Sequence, residues 1–474
     1  MPAVPSEQVV APTRDDPFVA ASSPVVGGPL GRHARAHPVW SALRVVLVLV
    51  TVTGALWLVR TAPCSEGAWF GSDPFSDLCY SDLPLRYVDE GHAERTVPYT
   101  DTQGRYPETA ATPPVAAAAW SVSVITHALS GWPDVESRAD LPVSDLLVAP
   151  SLQTEATTYY FVSVLLLFAC AVATTALIAR GSGRRPWDAA GFAAAPALLL
   201  AGTIGWDLLA VLLAVASWWA WHVRRPVAAG LLAGAAVATA VWPLAVVVAM
   251  VLVGTRRGHG RDAGLSVLAA CVAWCALQAP ALRLGASGWW ETVNPRLGEP
   301  AGYGSLWGLA ADGGSAVDPT LLAEVAAVAV GVVVVAAAFV TWRAPSPRVA
   351  QLVVLLLVGW LVVWPVYSPQ QVLWLLPFAV LARPRWRDLL IWQAGEVLYF
   401  LAIWAHLAGA TTDSGAVDKA YGWAVVLRIA AELYLAAVVL RDLADPRSDP
   451  VLAPADSRVA SRDVRRVVGT PPGV

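Results

Sequence analysis

The sequence predicts an all-α fold, a polytopic bundle of about 10–13 transmembrane helices with a large first extracytoplasmic loop. Of its 474 residues 57% are hydrophobic and only 14% are charged, whereas soluble domains contain about 25% charged residues. Apolar runs such as 319–341 and 421–441 have the ~20 residues that a bilayer-crossing helix needs, without the alternation of barrel strands. Many of the 23 tryptophans lie at the ends of such runs, where interfacial belts form. A lipid bilayer is therefore the expected surrounding of most of the chain.

Polar segments flank the predicted membrane domain. Residues 1–38 and 442–474 are rich in Pro, Asp, Arg and small residues, so we predict that both are disordered cytoplasmic tails. The membrane domain is expected to occupy 39–441. Its first apolar segment is expected to remain as an anchor, because no convincing small-residue cleavage site follows it.

Arginine-rich segments between the apolar runs predict the orientation. By the positive-inside rule they face the cytoplasm, and twelve crossings then leave both termini on that side. The chain is therefore predicted to be a multi-pass protein of the cell membrane. The segments are 180–185, 224–225, 256–261, 343–348 and 383–387.

Most of the predicted spans are simple apolar runs, and one pair is not. The pair 226–240 and 241–254 is too short for two full crossings and is interrupted at Trp242–Pro243, so we interpret it as a re-entrant hairpin buried in protein. The predicted spans are 39–60, 157–179, 188–205, 207–223, 226–240, 241–254, 263–281, 319–341, 348–366, 370–382, 388–408 and 421–441.

Two long loops, 61–156 and 282–318, are predicted on the extracytoplasmic side. The apolar stretch 113–130 inside the first loop is placed at the outer membrane surface as an interfacial helix. Counting it as a span would turn every later Arg segment outward. Large loops on one face usually carry function.

Composition and missing motifs exclude several function classes. A net charge of −3 gives no basic surface for nucleic acid. No Walker or dinucleotide-type glycine motif is present, so hydrolysis of a cytoplasmic nucleotide is disfavoured. The seven histidines show no His-x-x-x-His spacing, and we expect neither a metal site nor a cofactor.

Two of the five cysteines fall in the first outer loop. Cys64 and Cys79 can form a disulfide in an oxidising compartment, and closing such a loop stabilises a fold by roughly 3 kcal/mol. Two free thiols are the alternative. The other cysteines lie in predicted spans and are read as small buried apolar residues.

The first outer loop combines carboxylates with tyrosines. Carboxylates accept hydroxyl hydrogen bonds or a proton, and aromatic faces stack on pyranose rings, so this pattern is typical of a sugar-handling site. An ordinary solvated acidic loop and a site for a hard cation are the alternatives. The residues are Glu66, Asp73, Asp77, Asp82, Asp89, Glu90, Glu94, Asp101 and Glu108, with Tyr80, Tyr87, Tyr99 and Tyr106.

Seven blocks between about 40 and 441 resemble, in order, the actinobacterial branch of glycosyltransferase family 87. These are membrane enzymes of the GT-C type, similar to polyprenyl-phosphate-mannose-dependent mannosyltransferases. The Tyr-Ser-Pro-Gln and Gln-Ala-Gly-Glu blocks are fairly specific, and the Trp-Asp-Leu-Leu block alone is weak. The blocks are CYSDLPLRY, VPYTD, GWDLLAVLLAVASWWAW, GAAVATAVWPL, NPRLGEPAGYGSLWGL, VYSPQQVLWLLPFAVLARPRWRD and IWQAGEVLYF.

The resemblance implies a GT-C-like fold and a catalytic acid in the first outer loop. Asp82, in Cys-Tyr-Ser-Asp, is the expected general base, with Asp77 and Asp101 in reserve. It would take the proton of an acceptor hydroxyl as that oxygen attacks C1 of a sugar carried on a polyprenyl phosphate. The expected sugar is mannose, with arabinofuranose as the nearest variant, and the acceptor is an envelope glycolipid or glycan.

The sequence departs from the family pattern twice. Ala240 stands where a Lys usually precedes the aromatic-Pro of the hairpin, and Arg105 stands where an acid usually precedes the Tyr-Pro of the first loop. The missing Lys removes a counter-charge for the phosphate. Arg86, Arg105 or Arg296 would supply it, since a guanidinium suits phosphate.

Four further side chains are expected to contact substrate. Tyr80 and Tyr99 would stack on a sugar ring, Asp207 lies at the outer end of its span, and Gln370 belongs to the Tyr-Ser-Pro-Gln block.

Polar groups also interrupt the last spans. Arg428 and Glu432 are four residues apart on one helix face and are predicted to pair with each other. Glu396 and Gln393 lie in the preceding span. Helix packing is the simpler interpretation of this group, and a polar cavity for the lipid phosphate or the acceptor is the alternative.

Two other functions remain open at this point. A transporter or lipid-linked-sugar flippase would also have twelve spans, although such proteins usually place their polar residues at mid-membrane in two repeated halves. A catalytically inactive GT-C-like protein is the third possibility, because of the two departures.

Overall fold

The structure is a computed structural model that describes residues 16, 40–65, 69–70, 73–100, 104–106, 111–147, 149–293, 300–315, 317–410 and 419–452. Within these ranges every regular element is a helix and no residue lies in a strand, which confirms the predicted all-α fold. Short 3₁₀ turns occur at His92–Glu94, Glu136–Arg138, Pro186–Ala189 and Pro369–Gln371. The α-helices are α1 Ala42–Ser65, α2 Asp73–Ser76, α3 Asp82–Asp89, α4 Pro113–Leu129, α5 Val143–Leu146, α6 Pro150–Gly181, α7 Ala190–Ala193, α8 Pro196–Ala201, α9 Asp207–His222, α10 Pro226–Thr239, α11 Leu244–Arg256, α12 Gly260–Leu284, α13 Ala286–Val293, α14 Leu306–Asp312, α15 Pro319–Arg343, α16 Val349–Val363, α17 Val372–Ala382, α18 Trp386–Leu407 and α19 Lys419–Ala444.

The apolar helices make this chain a multi-pass membrane protein. Six of them, α1, α6, α12, α15, α18 and α19, are long and apolar enough to cross a bilayer, and five shorter apolar helices accompany them. Only 17% of the most apolar window of α15 is buried, against 50% for α18 and α19. We infer that α15 lies at the periphery, facing lipid, and that α18 and α19 lie inside the bundle.

The Arg-rich segments meet at one end of the bundle. Arg257 donates a hydrogen bond to Pro347 O at 2.7 Å, and Arg348 donates to Ala382 O at 2.7 Å. Arg185 donates to Pro450 O at 3.2 Å. Segments that are far apart in the sequence therefore share one end, which we call the Arg-rich end.

The predicted span 188–205 is divided into short helices and is not one continuous helix. The segment consists of the turn Pro186–Ala189 followed by α7 and α8, with extended backbone at Ala195. Pro196 lacks an N–H and therefore begins a new helix instead of continuing the old one. The Gln393 side chain accepts a hydrogen bond from Ala197 N at 3.2 Å, which satisfies one free N–H of the new helix.

The predicted interruption of the hairpin at Trp242–Pro243 is present. Ala240 is extended and ends α10, and α11 begins at Leu244. Helix α10 lies backbone to backbone against α12, because Gly230 and Gly234 face the Ser266 and Ala270 carbonyls with no room for a Cβ atom. Small residues at this spacing allow close helix approach in membranes.

Residues at both polar ends of the chain contact the bundle. The Asp16 carboxylate accepts a hydrogen bond from Trp386 N at 2.8 Å. Helix α19 continues to Ala444, and Asp449 beyond it is fully buried against Arg348 and Gln351. The folded chain therefore extends to at least Leu452, beyond the predicted boundary at 441.

Candidate functional site

Two carboxylates from distant parts of the chain meet at the end of the bundle opposite the Arg-rich end. Asp82 is the first residue of α3 and Asp207 is the first residue of α9. A Cβ atom at Gly205 would lie 3.3 Å from Asp207 Oδ2 and 3.8 Å from Asp82 Oδ2, so both oxygens border the same glycine. Helix N-termini favour negative charge. We call Asp82 and Asp207 the carboxylate pair.

Backbone contacts hold the first loop against the chain before α9. Asp82 N donates to Ile204 O at 2.8 Å, and the Ser81 hydroxyl donates to Thr203 O at 2.7 Å. Ser81 also caps α3 by accepting from Leu83 N at 3.2 Å. Because these bonds join residues about 120 positions apart, the position of Asp82 depends on the tertiary fold.

Arg60 and a disulfide fix the same loop to the end of α1. The Arg60 guanidinium donates to Leu78 O at 2.8 Å and to the Thr203 hydroxyl at 2.6 Å. A disulfide joins Cys64 in α1 to Cys79, with their Cα atoms 5.9 Å apart. The segment just before Asp82 is therefore attached both to α1 and to the chain before α9.

Aromatic donors occupy one oxygen of each member of the carboxylate pair. The Tyr80 hydroxyl donates to Asp82 Oδ1 at 2.7 Å, and the Trp374 indole N–H donates to Asp207 Oδ1 at 2.7 Å. Trp374 stacks on Trp242, with ring centroids 5.7 Å apart. The Trp242 indole N–H is buried and has no acceptor among the residues that the structure describes. The remaining carboxylate oxygens are the Oδ2 atoms near Gly205.

Tyr80 belongs to a small group of stacked rings. Its ring centroid lies 4.8 Å from that of Phe75 and 5.1 Å from that of Trp404. Burial raises the pKa of Tyr80 well above its ordinary value, and the nearby Asp82 charge raises it further. The hydroxyl therefore stays protonated and remains a donor to Asp82.

The positive charge of Arg86 interacts with several nearby carboxylates. Arg86 lies one turn after Asp82 in α3 and donates to Glu90 Oε1 at 3.0 Å. Burial acts to lower the pKa of Arg86, but Glu90 and Asp82 outweigh it and raise that pKa, with a smaller contribution from Asp207. Glu90 Oε2 also lies 3.4 Å from His92 Nε2. Arg86 is thus the central positive charge of the site.

Burial dominates the acidity of Asp82. It raises the pKa of the Asp82 carboxyl above its ordinary value, against the opposing effects of the Arg86 charge and the Tyr80 hydrogen bond. Glu90 behaves differently, because its bonds to His92 and Arg86 outweigh burial and lower its pKa. A carboxylate with a raised pKa next to the half-buried Arg86 is suited to accept a proton.

The other residues predicted for the site have varied positions. Asp77 is exposed after α2, outside the carboxylate pair. Tyr99 has left-handed backbone (φ +69°), and its hydroxyl donates to Ala111 O at 2.8 Å. Gln370 is half-buried in the turn that leads into α17, the helix of Trp374. Asp101 and Arg296 lie outside the described residues.

Arg105 uses its donors within the first loop. Its guanidinium donates to both Glu94 oxygens, at 2.6 and 3.0 Å, and to the carbonyls of Arg138 and Leu141. Arg86, whose charge interacts with both Asp82 and Asp207, is therefore better placed than Arg105 to meet a ligand at the carboxylate pair.

Sequence reasoning missed two tryptophans and one ion pair. Trp242 and Trp374 are present in the blocks GAAVATAVWPL and VYSPQQVLWLLPFAVLARPRWRD, but no local pattern indicates that they stack or that Trp374 binds Asp207. Glu90 is one of nine acidic residues between positions 66 and 108. Its spacing of four from Arg86 on α3 is the signal that identifies it.

The intramembrane polar group is arranged differently from the prediction. Arg428 donates to Glu396 Oε2 at 2.9 Å and to Tyr367 O at 2.9 Å, and the Tyr367 hydroxyl donates to Glu432. The predicted Arg428–Glu432 pair was wrong, because Arg428 reaches α18 and the 367–368 backbone instead. The Arg428 guanidinium also stacks on Tyr367 at 3.4 Å. This buried network holds the chain that leads to Gln370 and Trp374.

Comparison with known proteins gives no family model that matches this chain and no similar curated protein. The interpretation of the carboxylate pair therefore rests on its geometry and on the sequence blocks described above.

Proposed function

We propose that the protein is a membrane-embedded glycosyltransferase of the GT-C type. It transfers a sugar, expected to be mannose, from a polyprenyl-phosphate donor to a cell-envelope glycolipid or glycan. The observation that carries this proposal is the half-buried carboxylate pair near Arg86, whose member Asp82 lies in the first loop, where GT-C enzymes hold their catalytic acid. The resemblance to glycosyltransferase family 87 adds the substrate class.

Asp82 is the proposed general base. The acceptor oxygen forms a bond to C1 of the sugar while the C1–O bond to the phosphate breaks, and the prenyl phosphate leaves with that electron pair. The acceptor proton passes to a carboxylate oxygen of Asp82. Asp207 orients the acceptor hydroxyl, and Arg86 offsets the negative charge that grows on the leaving phosphate.

The site is proposed to face the extracytoplasmic side. Asp207 is at one end of α9, and His222, next to Arg224 and Arg225, is at the other. The positive-inside rule assigns that second end to the cytoplasm. Both termini are then cytoplasmic, as twelve crossings require.

The test is transfer from a radiolabelled polyprenyl-phosphate mannose by the purified protein. Asp82→Asn keeps the shape of the side chain but removes its proton affinity. General-base assistance contributes typically about 10²–10⁴-fold, so transfer should fall by about that factor while the protein remains folded and still binds donor.

Asp77→Asn is the matched control, because it removes an exposed carboxylate from the same loop. We expect it to retain transfer within about threefold, the range for a surface change away from the reacting atoms. Near-normal transfer by Asp82→Asn would contradict the assigned base. Wild-type protein that moves the lipid-linked sugar across a vesicle without breaking its C1–O bond would identify a flippase instead, and absence of both activities would favour an inactive GT-C-like protein.

A further inference from the structure

A second cavity, remote from the carboxylate pair, opens at the Arg-rich end. Its volume is about 380 Å³, and it lies between the end of α6, the ends of α9 and α11, and the start of α16. Four arginines line it, Arg185, Arg224, Arg257 and Arg348. His222, the last residue of α9, is also in the lining, so the whole length of α9 separates this cavity from Asp207. We call it the basic cavity.

Two of the four arginines have carboxylate partners. Arg185 Nε lies 3.0 Å from Asp188 Oδ2, and Arg348 Nη2 lies 2.9 Å from Asp449 Oδ1. Asp188 lines the cavity, whereas Asp449 is fully buried behind it. These two ion pairs fix two walls of the cavity and neutralise the charges of Asp188 and Asp449.

The other two arginines have no carboxylate partner among the described residues. Among the described residues, the hydrogen bond of the Arg257 side chain goes to the neutral carbonyl of Pro347. Partial burial lowers the pKa of Arg257, and the nearby Arg224 and Arg348 charges lower it further. The charges of Arg224 and Arg348 therefore act unfavourably on that of Arg257, and a bound anion would offset this repulsion.

The remaining lining suits an anionic group larger than a simple ion. Trp218 and Trp221 form one side, and Val451 and Leu452 of the C-terminal segment form another. Arg185 holds this segment by donating to Pro450 O at 3.2 Å. A volume of about 380 Å³ is in the range of small-molecule sites, roughly 300–1,000 Å³.

We propose that the basic cavity binds a phosphate-bearing anion through Arg224 and Arg257. Guanidinium groups present paired N–H donors that match phosphate oxygens. The phosphate belongs either to a lipid headgroup of the adjacent leaflet or to a soluble phosphate ester. This site does not depend on the transfer reaction proposed above, and it takes its ligand at the opposite end of the bundle.

The test compares three forms of the full-length purified protein. The double variant Arg224→Gln/Arg257→Gln removes the two unpaired charges, and Arg256→Gln/Arg261→Gln removes two charges from the same end that do not line the cavity. Native mass spectrometry measures retention of phosphatidylglycerol against phosphatidylcholine. Calorimetry with inorganic pyrophosphate measures soluble phosphate binding. Thermal unfolding checks folding, and Arg224→Gln alone, at an exposed position, replaces the double variant if that variant does not fold.

Binding should weaken by at least roughly 10- to 100-fold in the double variant, because loss of a single charge-assisted hydrogen bond already predicts that factor. Binding should stay within about twofold in the control pair. This pattern for phosphatidylglycerol assigns the site to a lipid headgroup, and the same pattern for pyrophosphate assigns it to a soluble ester. Equal loss in both variant pairs, or no binding of either phosphate probe to the wild type, would overturn the proposal.

Discussion

Asp82 and Asp207 differ in what protonation would do to their hydrogen bonds. Asp207 Oδ1 accepts from the Trp374 indole, which can only donate, so a proton on that oxygen would break the bond. Asp82 Oδ1 accepts from Tyr80, whose hydroxyl can rotate and accept in turn. A proton on either Oδ2 oxygen would leave both bonds in place, so the two carboxylates differ only at Oδ1, where the Tyr80 hydroxyl can adapt to a proton and the Trp374 indole cannot.

The pH dependence of transfer should report the pKa of Asp82. Burial raises this pKa and the Arg86 charge opposes that rise. Because a base works only when deprotonated, the rate should increase with pH and level off above the pKa. Arg86→Gln removes the opposing charge, so the pKa should rise further and the increase should move to higher pH. The measurement is the pH profile of kcat for both forms.

Arg95→Gln is the control for this experiment. Arg95 lies in the same loop but donates to Pro133 O and stacks near Trp132, so its loss should leave the profile in place. An Arg86→Gln profile that coincides with that of the wild type would show that Arg86 does not act on the titrating group.

Single residues were predictable from the sequence where a short motif surrounds them. Asp82 lies in a distinctive block and Asp207 in a weaker one, and their approach across Gly205 depends on a tertiary contact between the loop at Ser81 and the chain at Thr203. No local pattern encodes that contact. The same reason explains the wrong Arg428–Glu432 pair, since helix spacing shows which residues share a face and not what lies across from them.

At the level of elements, the first loop depends on its attachment to α1. We predict that a non-reduced digest contains the linked Cys64 and Cys79 peptides. In the chain-entropy model a loop of this length contributes about 3 kcal/mol, so Cys64→Ser/Cys79→Ser should lower Tm and reduce transfer by displacing the segment before Asp82. Mass spectrometry and thermal unfolding measure the two effects.

Cys271→Ser, which removes an exposed free thiol, is the control. Alkylation of both Cys64 and Cys79 without reductant would reject the bridge.

The close contact of α10 with α12 makes a second prediction for the elements. Gly234→Val places side-chain atoms against the Ala270 backbone, and such overpacking costs typically about 1–3 kcal/mol. The expected result is a lower Tm in detergent, together with weaker transfer, because α10 leads to Trp242 beside Trp374. Gly264→Ala is the matched control, since a Cβ there meets no atom within 4 Å. Equal Tm values for the two variants would contradict the contact.

Elements with uninterrupted apolar runs were predicted well, as was the break at Trp242–Pro243, but the breaks within 188–205 were not. The long helices α1, α6, α12 and α15 correspond to predicted spans because length and apolarity suffice to identify them. The segment 188–205 has the same composition, but prolines and small residues divide it into short helices. Hydrophobicity alone does not show where a helix ends when both pieces remain buried in protein.

At the level of the whole molecule, charge separates the two ends of the bundle. The carboxylate pair and Glu90 lie at one end with Arg86, while Arg185, Arg224, Arg257 and Arg348 surround the basic cavity at the other. The sequence predicts this separation, because the positions of its Arg segments between the predicted spans place all of them on one side of the membrane. It did not predict that these segments enclose a cavity, because their side chains meet only in the folded bundle.

The separation of charge leads to a prediction about orientation. Asp145 is exposed in the first loop and Arg184 is exposed at the Arg-rich end, so each is replaced by cysteine in turn. Cys271 and Cys275 are exposed free thiols, and Cys170 is a buried one, so all three are first changed to serine to remove background labelling.

A membrane-impermeant maleimide added to whole cells should label Asp145→Cys and not Arg184→Cys. After the cells are opened, both positions should react, which shows that the second thiol is accessible and was shielded only by the membrane. Labelling of Arg184→Cys but not Asp145→Cys from outside would contradict this orientation. It would place the carboxylate pair in the cytoplasm and the Arg-rich end outside, the reverse of what the positive-inside rule predicts.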